Sequence, residues 1–246
     1  MISPLAIRLR DRYYDNASHP YRVFERHVQS LIGPQTQVLL DAGCGRTMPV
    51  LQKFQGKVPK LIGVELVDFT DVPAGIEAHN ADLARLPVAD SSVDLVMSRS
   101  VFEHLTDPAA VYAELARVLR PGGKVVFLTA NFWDYGTQVA RLVPNRFHAR
   151  VVRAVEGRPE EDTFPTAYKT NTRRDIERLA QHAHLQVARI DYLSQYPNYL
   201  MFSGIAFAVG MAFERLVSRF NALRGLRGWV MVTLEKPTTP STATAR

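Results

Sequence analysis

Short apolar runs alternate along this chain with segments whose apolar residues recur every three or four positions. Gln37–Leu40 is an apolar run that ends on Asp41, the pattern of a strand buried on both faces. Lys60–Glu65 predicts a second strand, Ile76–Asn80 a weaker third, Val93–Met97 a fourth and Lys124–Thr129 a fifth. Asn16–Ile32 predicts a helix leading into the first strand, and Met48–Phe54 has helical spacing after it. Pro108–Leu119 carries Val111, Leu115, Val118 and Leu119 on one face, which predicts an amphipathic helix ended by Pro121-Gly122-Gly123. Alternation of this kind predicts an α/β fold, a parallel sheet covered by helices on both faces.

The rhythm breaks after the fifth strand. Asn131–Asn171 is a long aromatic, Arg-rich stretch. A helix at Thr172–Ala183 follows, with Thr172 and Asp175 as a capping pair, and then a strand at Gln186–Leu193. A second interruption covers Ser194–Gly228, before a last strand at Trp229–Leu234. Insertions of this length in a compact domain usually serve as lids or contact surfaces. The expected organisation is one domain over 1–236, with 1–36 as an N-terminal cap, insertions over 132–171 and 194–228, and a disordered polar tail over 237–246.

Of the 246 residues, 46% are hydrophobic and 22% charged, which excludes a disordered or fibrous chain. Cys44 is the only cysteine, so the chain forms no internal disulfide, consistent with a reducing compartment. The first residues hold no apolar run of signal-peptide length, and no window reaches the ~18 uninterrupted apolar residues of a membrane span. A cytoplasmic location is the expectation. Lys and Arg number 30 against 24 Asp and Glu, a formal charge of +6. Most of the cations are Arg, suited to bidentate contact with phosphate or carboxylate, although solubility alone explains the excess equally well.

The chemistry concentrates at Asp41-Ala42-Gly43-Cys44-Gly45-Arg46-Thr47. A glycine-rich turn between a strand and a helix lets a ligand approach the backbone and aims free amides at it. Thr47 occupies the third glycine position of the dinucleotide fingerprint, and no Gly-Lys-Ser/Thr follows as in a P-loop. Asp41 beside the glycines repels a pyrophosphate and attracts a cation.

From Val38 to Thr129 the chain resembles the class I S-adenosylmethionine-dependent methyltransferases, and among them the methyltransferase type 11 group. The segments that carry the likeness are LLDAGCGRT, IGVE, ADLARLPVADSSVDLVMSRSVFEHLTDP and ELARVLRPGGKVVFLT. The resemblance implies a Rossmann-like sheet of seven strands, one of them antiparallel, with the last two strands read here supplying the final hairpin. It implies S-adenosylmethionine as cofactor and S-adenosylhomocysteine as product. Gly43 and Gly45 would let the methionine moiety pass over the loop, and Asp41 would meet its amino end. Glu65 would accept from both ribose hydroxyls. Asp82 would accept from the adenine amino group, Leu83 would offer a backbone amide, and Ser98 would lie along the methionine portion.

Displacement at a sulfonium methyl needs an in-line nucleophile and a dry site, and a general base only where the nucleophile keeps its proton. His104, expected to open the helix after the fourth strand, is the candidate catalytic base. Packing is the competing role for it. Relatives that bind a divalent metal carry Glu-x-x-Glu-His here; Ser100 replaces the first glutamate, so no metal is expected. Ser98-Arg99-Ser100-Val101 also replaces the Asn/Asp-Pro-Pro-Tyr of enzymes that methylate planar amines. Arg99 is expected to pair with Glu103 in preference to an acidic substrate. Tyr13-Tyr14 and His19-Pro20-Tyr21 correspond to the segment that closes over the cofactor in relatives, with cation–π contact to the sulfonium or simple helix anchoring as its two roles.

Because the carboxyl end of the fifth strand faces the pocket in such sheets, Trp133, Tyr135, Arg146, His148 and Tyr168, with Tyr14 from the cap, are the candidate acceptor-binding residues. A satellite hydrophobic cluster is the competing reading. Tyr199–Phe213 has no charge and is followed by Arg215, Arg219, Arg224 and Arg227, with Gly204, Ala208 and Ala212 at four-residue steps. A buried or lid-forming helix, a homodimer interface and a monotopic membrane contact, at the inner face of a membrane, all fit it. The expected function is methyl transfer to a small-molecule acceptor, at an oxygen of a sugar, phenolic or lipid-linked intermediate. The alternatives are an RNA or protein methyltransferase, disfavoured by the lack of an appended RNA-binding module, and a non-catalytic cofactor-binding scaffold.

Overall fold

The structure, a computed structural model, describes residues 2–142 and 164–238, with backbone alone over 139–142. Seven strands form one sheet: β1 (Val38–Ala42), β2 (Lys60–Glu65), β3 (Ile76–Asn80), β4 (Val93–Arg99), β5 (Leu119–Ala130), β6 (Gln186–Leu193) and β7 (Trp229–Glu235). Their order is β3-β2-β1-β4-β5-β7-β6. β7 runs antiparallel to both of its neighbours, and the remaining pairs are parallel. The expected class, with a closing antiparallel hairpin, is what the chain adopts.

All five residues of β1 are buried, which explains why it reads as an unbroken apolar run. Leu40, Val96, Phe127 and Val232 point to one face, where they pack with Val111 and Leu115 of α3 (Pro108–Val118) and Ile176 and Leu179 of α5 (Arg173–His182). Leu39, Met97, Val126 and Met231 point to the other, against Phe24 and Val28 of α2 (Pro20–Leu31). Thr172 caps α5 by accepting from the Asp175 amide at 3.2 Å, as its spacing predicted.

Several elements differ from expectation. The helix expected over Asn16–Ile32 is a 3-10 turn at Asn16–Ser18 followed by α2, broken at His19. Pro20 holds the residue before it in extended backbone, and the His19 ring accepts the Tyr21 amide at 3.2 Å to start the new helix. Met48–Phe54 gives only a 3-10 turn at Leu51–Phe54, because Met48 sits at φ 51° and Gly56 at φ 74°, both left-handed. The strand expected from Lys124 begins at Leu119, with a register shift opposite Val93/Leu95 that absorbs the Pro-Gly-Gly turn. An earlier helix, α1 (Pro4–Tyr13), packs beside α6 (Gly204–Arg219). Ala6, Met201 and Phe207 form a small separate core between them. α4 (Tyr135–Leu142) follows β5.

Candidate active site

β1 pairs with β2 on one side and β4 on the other. The chain therefore leaves the middle of the sheet in both directions, and a crevice opens at the carboxyl ends of these strands. The turn after β1 lies there. Gly43 and Gly45 hold φ at +82° and +76°. The Gly43 and Cys44 amides donate to the Val64 carbonyl at 2.9 and 3.1 Å, which folds the turn back over β2. Gly45 donates to Glu65 Oε2 at 2.7 Å, and the Leu66 amide donates to Glu65 Oε1 at 2.9 Å. Glu65 thereby sits at the end of β2 against the glycine turn, with lone pairs still available to hydroxyl donors.

Asp41 is 3% exposed on β1. Burial pushes its carboxyl up to about 7; Arg99 opposes the rise and Glu65 adds to it. An acid held there without a full counter-charge favours an incoming cation. Cys44 is buried and its thiol is pushed up by the same burial and the same two carboxylates, so it is not a nucleophile. Asp82 accepts the Ala84 amide at 2.9 Å in an exposed turn, and Leu83 behind it is buried. The Ser98 hydroxyl donates to the Ala42 carbonyl at 2.6 Å and is 1% exposed. It ties β4 to β1 at the strand ends.

His104 does not open the helix. It closes a 3-10 turn at Phe102–His104, and α3 starts later under the Asp107 cap. Its Nδ1 lies 3.2 Å from the Pro165 carbonyl, and its ring meets Phe164 edge-on. Nor does Arg99 pair with Glu103. Its guanidinium lies 3.2 Å from Glu25 and 4.3 Å from the centre of the Tyr21 ring. Alternation along β4 turns Arg99 toward α2, whereas Glu103 faces β5 and accepts the Thr129 hydroxyl at 2.7 Å.

A cavity of about 630 Å³ lies between the N-terminal cap, the end of β4 and the chain after β6; Tyr14, Tyr21, Arg99, Ser194 and Tyr196 are among the residues that line it. It does not reach the glycine turn itself, but Lys53 just after that turn and Arg99 beside Asp41 are in its wall. Tyr21 fixes the cap in place through its hydroxyl, 3.1 Å from Ser100 Oγ, and through edge contact with Trp229. Of the expected acceptor residues, Tyr14 alone among those described lines this cavity. Trp133 is 59% exposed and groups with Phe132 and Tyr168, and Tyr135 packs on Phe213. Arg146 and His148 lie outside the described residues.

Behind the Tyr14 and Ser194 wall is an acid that the sequence reading missed. Glu214 of α6 is 4% exposed, bonds Ser194 and leaves Oε2 without a partner; the Tyr14 hydroxyl is likewise buried without one. Burial, then the charge of Asp134, pushes Glu214 up to about 8, and burial pushes Tyr14 up to about 12. The only sequence signal was a lone acid just after a 15-residue uncharged stretch. Among the described residues no group of three or more His, Cys, Asp or Glu is placed to hold a metal ion.

Residues 40–127 match a family model described as a methyltransferase domain. The chain is 33% identical over 124 residues to a probable S-adenosylmethionine-dependent methyltransferase of Mycolicibacterium smegmatis, covering 48% of this chain and 47% of that one. It is 36% identical over 105 residues to a malonyl-[acyl-carrier protein] O-methyltransferase of Hahella chejuensis, covering 38% and 36%. The chain thus spans about half or less of the length of the curated relatives it matches. Its fold is similar to that of a geranyl diphosphate C-methyltransferase from Streptomyces coelicolor, with a TM-score of 0.54 and 16% identity over 87% of this chain and 77% of that one.

Proposed function

We propose that the chain carries a class I S-adenosylmethionine-dependent methyltransferase domain and moves a methyl group from that cofactor to a small-molecule acceptor. The observation that carries the reading is the glycine turn at the sheet's switch point, bonded to Glu65 on the neighbouring strand and backed by the buried Asp41. These residues fit the cofactor. The left-handed backbone at Gly45 leaves open space where a Cβ would stand, with Pro49 nearest at 3.9 Å, while the Val101 side chain packs on Gly43. Asp41 suits an ammonium, Glu65 suits a pair of ribose hydroxyls, and Asp82 with the Leu83 amide suits the adenine edge. When bound, the cofactor supplies an electrophilic methyl group on a sulfonium.

The chain's own part is then positioning and exclusion of water. The cap holds Tyr14, His19 and Tyr21 over the cavity, and Arg99 joins that cavity to Asp41. We assign the cavity to the acceptor. Its aromatic rings suit an apolar body, and Arg99 and Ser194 offer donors to its polar end. Oxygen is the atom we favour, supported by the O-methyltransferase among the relatives. His104 is not among the residues that line this cavity, so it stays the candidate base only for an acceptor that extends beyond it; with Nδ1–H donating to the Pro165 carbonyl it holds Nε2 in the basic tautomer. Trp133 and Tyr168, grouped around Phe132, form a second aromatic group for a longer acceptor, and Tyr135, Arg146 and His148 remain candidates.

The test is label transfer from methyl-labelled S-adenosylmethionine into a bacterial extract, alongside Asp41→Ala, after calorimetry has measured cofactor binding. Label in the organic or small aqueous fraction, lost in the variant, is the expected result. Label confined to RNA or protein would replace the small-molecule reading. Tight binding without transfer to any fraction would favour a scaffold.

A further inference from the structure

The side of α6 turned away from the core is apolar. Phe202, Ile205, Val209, Leu216 and Phe220 are 66, 78, 66, 51 and 52% exposed. With Ala212 they recur at three- and four-residue steps, which sets them in one row along the helix. Phe207, Gly210, Glu214 and Val217, on the opposite side, are buried. An exposed apolar residue by itself is ordinary, but a continuous row marks a contact surface. Ile2 and Leu5 widen the row at its start, at 48 and 50% exposure. α1 is fastened there by the Ser3 amide, which donates to the Met201 carbonyl at 2.8 Å, and by Leu5 lying over Gly204, where a Cβ would come within 2.6 Å of it.

Between residues 201 and 228 the exposed charge has one sign. Glu214 is the only acid between residues 201 and 228, and it is buried; Arg215, Arg219, Arg224 and Arg227 share the stretch. Arg215 and Arg219 are exposed and flank Leu216 in sequence. Arg12 of α1 joins them: its guanidinium and that of Arg215 both lie on the exposed Tyr13 ring, at 5.7 and 4.6 Å.

We propose that this row seats α6 in the interfacial layer of an anionic lipid membrane, apolar side chains inward and arginines at the level of the headgroups. Apolar residues beside arginines, with no exposed acid in the stretch, complement anionic lipid. A two-fold contact with a second copy would instead bring one set of arginines toward another without an acid from α6 to meet it. At 1.5 Å per residue the 16-residue helix is ~24 Å long, shorter than the ~30 Å hydrocarbon core, so it lies in the membrane plane. No described helix is long and apolar enough to cross a membrane. The proposal stands apart from methyl transfer and needs no acceptor to be known.

The experiment is flotation of the full chain with large unilamellar vesicles of phosphatidylcholine alone and of phosphatidylcholine mixed with phosphatidylglycerol. Three proteins are compared: wild type, the Ile205→Ser/Val209→Ser double variant and the Arg215→Gln/Arg219→Gln double variant. Melting curves and sedimentation velocity without lipid are run on each. The wild type is expected to float with the mixed vesicles. The arginine pair should weaken that partition roughly tenfold or more, and the apolar pair should abolish it, both with unchanged melting. Wild type that stays in the dense fraction with both vesicle types would overturn the proposal. So would a lipid-free dimer that the Ile205→Ser/Val209→Ser change dissociates, which would assign the row to a second copy.

Discussion

At Gly43 two physical costs of a side chain coincide. The backbone sits at φ +82°, and a Cβ would come within 2.3 Å of Val101 Cγ2. Gly43→Ala should therefore lose about 2–3 kcal/mol of stability, read as a lower urea midpoint at unchanged slope, and should lose cofactor binding in calorimetry. Asp41 makes a prediction of a different kind. Its carboxyl titrates near 7 because it is buried, and an ammonium is met only by the ionised form. Affinity for S-adenosylmethionine should fall as pH drops through that value, roughly tenfold for each unit below it. Asp41→Asn should bind weakly at every pH and lack the slope. A wild-type affinity that is flat over about pH 5.5 to 7.5 would show that Asp41 does not meet the cation.

Helix α6 is the element that serves two surfaces. Its inner side is built for close approach: a Cβ on Gly210 would come within 2.7 Å of Leu200 and 2.8 Å of Pro197. In an open helix a Gly→Ala change gains about 1 kcal/mol. Here the stiff proline ring cannot give way, and overpacking of about 1–3 kcal/mol outweighs the gain. Gly210→Ala should lower the melting temperature, and a rise would mean that Pro197 and Leu200 yield. The same packing explains how the small residues divide. Gly204 meets α1 and Gly210 meets the chain before the helix, whereas Ala212 faces solvent. The four-residue repeat in the sequence therefore does not form a single helix-packing seam.

Among the described residues three buried acids carry raised pKa values: Asp134 at about 6, Asp41 at about 7 and Glu214 at about 8. Each keeps its proton in the fold at pH values where the unfolded chain has released it. The native state then binds more protons, and stability declines as pH rises. For Glu214 the contribution is full below its ordinary value of 4.5 and is lost by about 8. Glu25, Glu77 and Glu114 are held low by Lys and Arg partners, and their contribution is present above 4.5 and lost as pH falls beneath it. The three acids therefore pull the melting temperature down from about pH 5 toward about pH 8, His19 and His27, held below 6.5 by burial, oppose them at the acid end of that range, and Glu214→Gln should flatten the decline. A melting temperature that climbs over that range would contradict the assignment.

Strands and the glycine turn were legible in the sequence because their physics is local. A strand buried on both faces must be a short apolar run, as β1, β2 and β5 are, and a left-handed turn in close contact must be glycine, as at Gly43. The bounds of β2, β3 and β6 were legible for the same reason. What depends on residues far apart was not. That Arg99 pairs with Glu25 and not with Glu103 follows from which side of β4 faces α2, a fact of strand alternation and sheet packing. Tyr14, Tyr21, Arg99 and Ser194 meet around one cavity only after the cap folds across the carboxyl ends of the strands. Glu214 reads as one more helical acid until its neighbours in space remove it from water, and Ile205 and Val209 fit a buried helix, a dimer face or a membrane contact alike until α6 packs by its other side and leaves them exposed. Periodicity records how apolar a position is; which of two apolar faces is covered is decided by what the rest of the chain brings against it.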